Sequence, residues 1–406
     1  MIRLLPPSMP REAFLVVLCA RTSPDARCEG RIGQLAQGPT NWAYLAEIAK
    51  WHGVAPMVYR NLSRLCRDRV WPIVLEDLKQ YYQASAMLGH SLARDLAMLC
   101  QSFAARGITV VPFKGLTLAQ TAYGDIAARE CGDIDMIVRR DDLARARGVL
   151  QADGYECATD DAAKASDPTE AFNLYIKRTR GVTVDMQWVM ADGSFAFRLD
   201  RARFWQRLTT LRISGAEVKA LAPEDLLLVL CVHGAKHVFE QLKWIGDVAE
   251  LLHRHPNFDW VYFERTAREW SCWRMVLVGL TLARTLWGTH LPARVERAIM
   301  DDREVPALAR RMPKTLLGDP RYGLGEEERE VFYFATKDSR WHQWKHGLSL
   351  SRDRNLSLTV DHPWLPAWRR LQGIHRAIDP LRGMLKRMIP STAIRQRLSR
   401  WLLPAS

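Results

Sequence analysis

From about residue 40 to residue 106, apolar positions recur every three and four residues, a spacing typical of amphipathic helices. The clearest stripe consists of Leu88, Leu92, Leu96, Leu99 and Phe103. Residues spaced this way lie on one face of a helix, so the stripe predicts a helix that packs against a core. The pattern therefore predicts an N-terminal helical domain over residues 1–106.

The spacing then changes to that of β-strands. Residues 108–113 (ITVVPF) form a short β-rich run that ends at Lys114-Gly115, and helical spacing returns over residues 116–123. The runs 133–138 (DIDMIV), 171–176 and 182–188 (VTVDMQW) predict further strands, and residues 141–150 predict a helix. This alternation predicts a small α/β or α+β core over residues 107–222.

The remaining chain divides into three segments. Pro223-Glu224-Asp225 is a helix start signal, and helical spacing continues over 223–300. Residues 301–363 contain four prolines among charges, which indicates short helices and loops. Residues 364–406 hold nine basic residues against one acid and mix Leu, Ile and Met with Arg, which predicts a basic amphipathic tail.

Composition narrows the class of protein. The chain has 406 residues, of which 48% are hydrophobic, so it can form a core and is not a disordered polypeptide. No stretch reaches the roughly 18 consecutive apolar residues that a membrane-spanning helix needs. The eight cysteines form no C-x-x-C pair, which argues against a disulfide framework or a zinc site. We therefore expect a cytoplasmic protein, and the basic tail leaves a peripheral contact with a membrane open.

Paired acids give the first candidate for chemistry. Asp133 and Asp135 lie two apart on a predicted strand, so both carboxylates face the same side with backbone positions about 7 Å apart. Two such anions repel unless a cation lies between them, and an all-oxygen site suits Mg²⁺. Asp185 lies on the polar face of VTVDMQW and becomes a third carboxylate if that strand pairs beside the first.

A glycine turn precedes these acids. Gly115 lies where a predicted strand turns into a helix, and such a turn presents backbone N–H groups to an anion. Lys114 could add a charge and Thr117 a hydroxyl. The turn therefore predicts a phosphate-binding site, and Arg129 would pair either with a phosphate or with a neighbouring acid.

Four basic or imidazole side chains follow on the first helices after the core. His233 and His237 are four residues apart, which is the spacing of a zinc site, but the glutamate of the zinc protease motif is absent. Helix packing is as good an interpretation of these histidines as substrate contact. Lys236 and Lys243 could reach a triphosphate or an acceptor, and the tryptophans nearby are most simply core residues.

Three segments together resemble a known family. They are FKGLTLAQTAYGDIAARECGDIDMIVRRDDLARARGVLQADGYE, VDMQWVM and VHGAKHVFEQLKWIGDVAELL, and they resemble the uncharacterised nucleotidyltransferase family of the DNA polymerase β-like superfamily over about residues 40–290. The resemblance implies an α+β fold with a mixed-sheet core between helical segments. It also implies two Mg²⁺ ions on Asp133, Asp135 and Asp185, and transfer of a nucleoside monophosphate from a nucleoside triphosphate with release of pyrophosphate.

Two positions depart from the superfamily pattern. Lys114-Gly115 replaces the usual Gly-Ser, and Gln187 stands where relatives often have His. Neither change removes a metal ligand. Our first hypothesis is a Mg²⁺-dependent enzyme that uses ATP to modify a small molecule, a peptide or a protein. The alternative is a non-catalytic nucleotide-binding or partner-docking protein, with the 364–406 tail on an anionic membrane or a partner; nucleic acid is less favoured.

Overall fold

A computed structural model describes residues 9–158, 172–177, 180–188, 201–317, 324–339 and 343. The chain divides into two compact units. The first extends to Leu324 and includes Thr336–Asp338, and the second contains Gly325–Ala335 and the residues from Ser339 onward. The first unit therefore contains the N-terminal helices, the sheet and the following helices together. The boundaries predicted at residues 106, 222, 300 and 363 stay predictions.

Five helices form the N-terminal part of the first unit. They are α1 Arg11–Cys19, α2 Ala26–Ala36, α3 Trp42–Trp51, α4 Ala55–Leu65 and α5 Pro72–Ala104. Asp25 caps α2 by accepting a hydrogen bond from the Cys28 amide at 2.7 Å, and Asn41 caps α3 in the same way. The predicted stripe is buried from Leu92 onward, but Leu88 is 47% exposed.

A five-stranded mixed sheet follows. Its strands are β1 Val110–Pro112, β2 Ile134–Val138, β3 Glu156–Cys157, β4 Phe172–Lys177 and β5 Val182–Gln187, in the order β1-β2-β5-β4-β3. The β2 and β5 strands are parallel, whereas the other pairs are antiparallel. Two short helices, α6 Gly115–Leu118 and α7 Leu143–Ala152, lie between the strands in sequence. The predicted α+β fold with a small mixed sheet is confirmed.

One face of the sheet belongs to the hydrophobic core. Met136 of β2 and Met186 of β5 are fully buried and share a cluster with Leu92, Leu96 and Phe103 of α5. Fully burying an apolar side chain of this size contributes about 1.5–3 kcal/mol. Because side chains alternate along a strand, the residues between these apolar positions point to the opposite face. Asp135 and Asp185 are among them.

A two-stranded hairpin and a set of helices complete the described chain. The hairpin, β6 Thr209–Ile213 and β7 Ala216–Ala220, turns through Ser214 and Gly215, both with positive φ, as a tight two-residue turn requires. The helices are α8 Arg201–Gln206, α9 Pro223–Lys236, α10 Leu242–Arg254, α11 Trp260–Glu269, α12 Trp273–Trp287, α13 Ala293–Asp301, α14 Val305–Leu316 and, in the second unit, α15 Glu326–Ala335.

The structure bears on the basic tail, on membrane-spanning helices and on the cysteines to different extents. The predicted tail at 364–406 lies outside the described residues. No helix within the described ranges is both long and apolar enough to cross a membrane. All eight cysteines lie in these ranges as thiols, seven of them buried.

Candidate functional site

The parallel pairing of β2 and β5 brings the predicted acids together. Asp135 is the direct partner of Asp185 across the two strands, and Asp133 lies two residues before Asp135. Neighbouring strands lie about 4.8 Å apart, so these carboxylates share one small region. Asp135 is 9% exposed, and Asp133 and Asp185 are half-buried. The sequence predicted the strands and their polar faces, and the structure adds the register.

Burial and mutual repulsion make two of these acids harder to ionise. Burial first, and the charge of Asp135 second, raise the pKa of Asp133. Burial also raises the pKa of Asp185 to about 6, although the Gln187 amide donates a 2.8 Å hydrogen bond to its Oδ2 and acts in the opposite direction. The other oxygen, Oδ1, is buried without a hydrogen-bond partner. An unpartnered carboxylate oxygen beside two further acids is a position suited to a cation.

Lys114 already supplies one positive charge. Its Nζ lies 2.8 Å from Asp135 Oδ1, and the two side chains are only 12% and 9% exposed. Gly115 follows with φ +49°, and a Cβ there would lie 3.5 Å from the Asp133 carbonyl oxygen. The left-handed backbone, more than the space, therefore favours glycine. The turn thus fixes Lys114 beside the acids.

Thr117 is used inside this turn. Its hydroxyl donates a 2.9 Å hydrogen bond to the Lys114 carbonyl, and its own amide contacts the same oxygen at 3.2 Å. The side chain is 2% exposed. Thr117 therefore stabilises the turn in this structure, and its predicted contact with a phosphate stays a prediction.

Arg129 pairs with an acid, which is one of the two alternatives left open by the sequence. Its Nε and Nη2 donate to the two carboxylate oxygens of Asp247 at 2.7 and 2.9 Å, and its Nη1 donates to the Glu130 carbonyl at 3.2 Å. The Tyr123 hydroxyl donates to the same Asp247 at 2.8 Å. This buried pair joins α10 to the loop that leads into β2.

His233 of α9, His237 directly after it and Lys243 of α10 lie near the acidic cluster, since charges of Lys114 and Asp133 act on this group. The ring centroids of His233 and His237 are 4.7 Å apart, and the Trp244 ring lies 5.0 Å from His237. Burial first, and the charge of Lys114 second, lower the pKa of His233 well below its usual value, so its imidazole is neutral at pH 7. Trp244 is half-buried against both histidines, a contact that the sequence did not predict.

Lys236 is the last residue of α9, and Lys243 lies in the first turn of α10. Lys243 is half-buried, and burial, followed by the charge of Arg129, lowers its pKa, whereas Asp133 and Asp247 act to raise it. Its side chain packs against Gly53, where an added Cβ would come within 2.6 Å of Lys243 Cδ. Lys236 is half-buried on α9, and its charge contributes to lowering the pKa of His233.

The three carboxylates are ligands of the type that a hard cation prefers, but their positions in this structure do not form a metal site. Carboxylate oxygens are the preferred ligands of Mg²⁺, and the unpartnered Oδ1 of Asp185 offers one. Within the described part of the chain, no group of three or more His, Cys, Asp or Glu residues is positioned to hold a metal ion. Metal binding by Asp133, Asp135 and Asp185 therefore stays a prediction.

Comparison with known proteins establishes the family. The model of a family described as uncharacterised nucleotidyltransferase matches residues 38–288, which is more than half of the chain. The chain belongs to this nucleotidyltransferase family. The match spans the acids, the glycine turn and helices α9 and α10, so the resemblance inferred from the sequence is confirmed. The family assignment supports a transferase.

Other comparisons add less. The chain is similar to the crystal structure of an antigenic nucleotidyltransferase-like protein from Paracoccidioides brasiliensis, with 17% identity, coverage of 52% of this chain and 98% of that chain, and a TM-score of 0.32. At that TM-score we draw no argument from the likeness. No curated protein matches the chain significantly.

A separate cavity lies elsewhere in the first unit. It measures about 440 Å³ and is lined by Arg21 and Thr22, by Glu250 and His253 at the end of α10, and by Trp287 at the end of α12. None of the predicted site residues lines it. Glu250 accepts hydrogen bonds from the Thr22 amide and hydroxyl there. The cavity is therefore distinct from the acidic cluster.

Proposed function

We propose that this nucleotidyltransferase is a Mg²⁺-dependent enzyme that transfers a nucleoside monophosphate from a nucleoside triphosphate to an acceptor. ATP is our preferred donor, and a small molecule, a peptide or a protein is the acceptor class. The observation that carries the proposal is the register that pairs Asp135 with Asp185 and leaves Asp133 two residues away. Family membership over residues 38–288 supports it independently.

In this proposal the three carboxylates bind the metal ions, and one of them has a second role. Asp133 and Asp135 would hold divalent cations together, and Asp185 would contribute the oxygen that is unpartnered here. Bound ions would lower the pKa of the attacking hydroxyl and neutralise the triphosphate. The acceptor oxygen would bond to the α-phosphorus as the bond to pyrophosphate breaks, and Asp185 would accept the hydroxyl proton.

The basic residues would serve the nucleotide. Lys114 and Lys243 would contact a triphosphate held at the acids, and the charges of both lysines act on Asp133. We retain Gly115, Thr117, Lys236, His233 and His237 as proposed contacts of the nucleotide or acceptor. Arg129 would act indirectly, because its Asp247 pair orients the loop that carries Asp133.

One observation favours the alternative of a non-catalytic nucleotide-binding protein. The Lys114–Asp135 ion pair neutralises one acid internally, so part of the cluster is stable without a metal ion. Such a protein would bind a nucleotide without transferring it. Binding and transfer must therefore be measured separately.

The test uses purified full-length protein, Mg²⁺ and NTPs labelled at the α-phosphate. Binding is measured by filter retention with and without Mg²⁺, and transfer by label incorporation into cell extract components. The double variant Asp133→Asn with Asp135→Asn should lose metal-dependent binding at least a hundredfold while circular dichroism shows an intact fold. Asp77→Asn, at an exposed acid that pairs with Lys50, is the matched control and should bind as the wild type does.

The possible results of these assays distinguish the enzyme from the non-catalytic alternative. Metal-dependent binding with label transfer supports the enzyme, and metal-dependent binding without transfer to any acceptor supports the alternative. Nucleotide binding that does not depend on Mg²⁺ would overturn the enzyme, and absence of nucleotide binding both with and without Mg²⁺ would overturn both. Retained binding and transfer in the double variant would show that these acids are not the metal ligands.

The basic segment 364–406 is the proposed contact with an anionic surface. Its nine basic residues against one acid would be attracted to acidic lipid or to an acidic partner. Removing it should abolish sedimentation of the protein with phosphatidylserine vesicles. Unchanged sedimentation would contradict the membrane contact.

A further inference from the structure

The ammonium group of Lys114 occupies the electrostatic centre of the acidic cluster. It contacts Asp135 Oδ1 at 2.8 Å, with both side chains about nine-tenths buried. Its charge also acts on the other two acids, because it lowers the pKa of Asp133 and of Asp185 against the effect of their burial. Lys243 also acts on Asp133, and Lys114 adds to such an effect a direct ion pair with Asp135. Lys114 is thus a lysine whose charge acts on all three acids.

A cation in this position competes with any other cation. Asp135 Oδ1 cannot accept the ammonium at 2.8 Å and simultaneously bind a metal ion along the same direction. A metal ion that enters while Lys114 stays also meets a positive charge in a poorly solvated region, where Coulomb repulsion is strong. The structure therefore combines acids that suit a divalent cation with an internal cation that opposes its entry.

We propose that Lys114 is a built-in counter-ion, which stabilises the three carboxylates without metal and moves to the triphosphate when nucleotide arrives, so that metal and nucleotide bind cooperatively. This inference rests on the proposed function of the site. It gives Lys114 two successive partners, namely Asp135 before binding and a phosphate oxygen afterwards. The divalent cation then takes the place of the ammonium group among the acids.

The side chain and its position allow such an exchange. Lysine carries a compact charge on a flexible four-carbon chain with rotatable donors, so it can change partner without moving the backbone. Lys114 lies at the last residue before α6, while the Gly115 and Thr117 contacts hold the turn beneath it. The nucleotide's triphosphate supplies a denser negative charge than one carboxylate. The exchange therefore needs only a rotation of the lysine side chain.

The test measures Mn²⁺ binding by electron paramagnetic resonance, with and without the non-hydrolysable analogue α,β-methylene-ATP. In the wild type, the analogue should tighten Mn²⁺ binding at least tenfold. In Lys114→Met, which keeps the chain length and removes the charge, Mn²⁺ alone should bind at least tenfold more tightly than to the wild type. The analogue should then add little further tightening.

Lys79→Met is the control, because Lys79 is an exposed lysine that pairs with Glu76 and has no part in the proposed site. It should retain most of the coupling between Mn²⁺ and nucleotide. Equal loss of coupling in both variants would overturn the inference, because it would indicate a general charge effect. So would a Lys114→Met variant that binds Mn²⁺ alone no more tightly than the wild type.

Two further results keep the test decisive. Lys114→Met leaves Asp135 buried without its partner and could fail to fold, but the wild type alone is informative. If the wild type binds Mn²⁺ equally tightly with and without the analogue, the counter-ion inference is wrong even though the metal site stands. If the wild type binds Mn²⁺ under neither condition, the proposed function itself fails.

Discussion

Replacing Asp247 with Asn should destabilise the protein strongly, because it removes the negative charge that faces Arg129. Arg129 is 9% exposed and Asp247 1%, and they share two hydrogen bonds of 2.7 and 2.9 Å. Removing one member of a buried ion pair leaves the other charge without compensation, which costs about 3–5 kcal/mol. We expect Asp247→Asn to lower the free energy of unfolding by an amount in this range.

The measurement is urea unfolding followed by circular dichroism and by fluorescence of the 15 tryptophans. Asp77→Asn provides the control, because its ion pair with Lys50 is exposed and should change the unfolding free energy by less than about 1 kcal/mol. The double variant Arg129→Met with Asp247→Leu should recover much of the loss, because no charge is then buried.

Two results would refute this reasoning. A loss below about 1 kcal/mol in Asp247→Asn would mean that water reaches the Arg129 guanidinium and that the pair acts as a surface pair does. A double variant as unstable as the single one would place the cost in lost packing or in the lost Tyr123 hydrogen bond instead of the unpaired charge.

Three other predictions concern separate parts of the molecule. Burial lowers the pKa of His52 from 6.5 to about 4, so His52 takes up a proton in the unfolded chain before it does so in the folded protein as pH falls. Its contribution to the free energy of unfolding is therefore fully present above pH 6.5 and is lost as the pH falls towards 4. The loss amounts to about 3 kcal/mol, and His52→Gln should remove that part of the pH dependence of urea unfolding. Gly234→Ala should lower the midpoint of thermal unfolding, because the added Cβ would lie 2.2 Å from the Phe239 ring. Gly33→Ala in helix α2 is the control and should not lower it, because nothing lies within 4 Å of the added Cβ. An equal loss in both variants would contradict this packing. Cys157 is exposed and the other cysteines are buried, so one thiol should react rapidly with a thiol reagent in the native state and none in Cys157→Ser.

Local patterns were sufficient to predict most elements of this fold. The stripe of Leu92, Leu96 and Phe103 predicted α5, and the alternation in DIDMIV and VTVDMQW predicted β2 and β5. Leu88 continues the same spacing but is exposed, because periodicity defines a face without defining how far the neighbouring elements cover it. The β6–β7 hairpin was missed as a unit, although Ser214-Gly215 carries a turn signal that could have indicated it.

The candidate site was less accessible to sequence reasoning, since its contacts join distant parts of the chain. The polar face of β5 was visible, but its parallel pairing with β2 in the register Asp135 to Asp185 depends on tertiary packing. Arg129 and Asp247 are 118 residues apart, and no local pattern identifies their pairing. The Lys114–Asp135 contact likewise depends on how the turn meets the strand.

The ion pair of Arg129 with Asp247 also determines which fragments can be made. A fragment that stops at residue 222 would contain the whole described sheet but not α10. The buried Arg129 guanidinium would then lack its carboxylate partner. The Tyr123 hydroxyl would lose the same carboxylate. The smallest piece worth expressing must therefore extend past Arg254, where α10 ends. Recombinant truncations should be designed around this long-range link, not around the sheet alone.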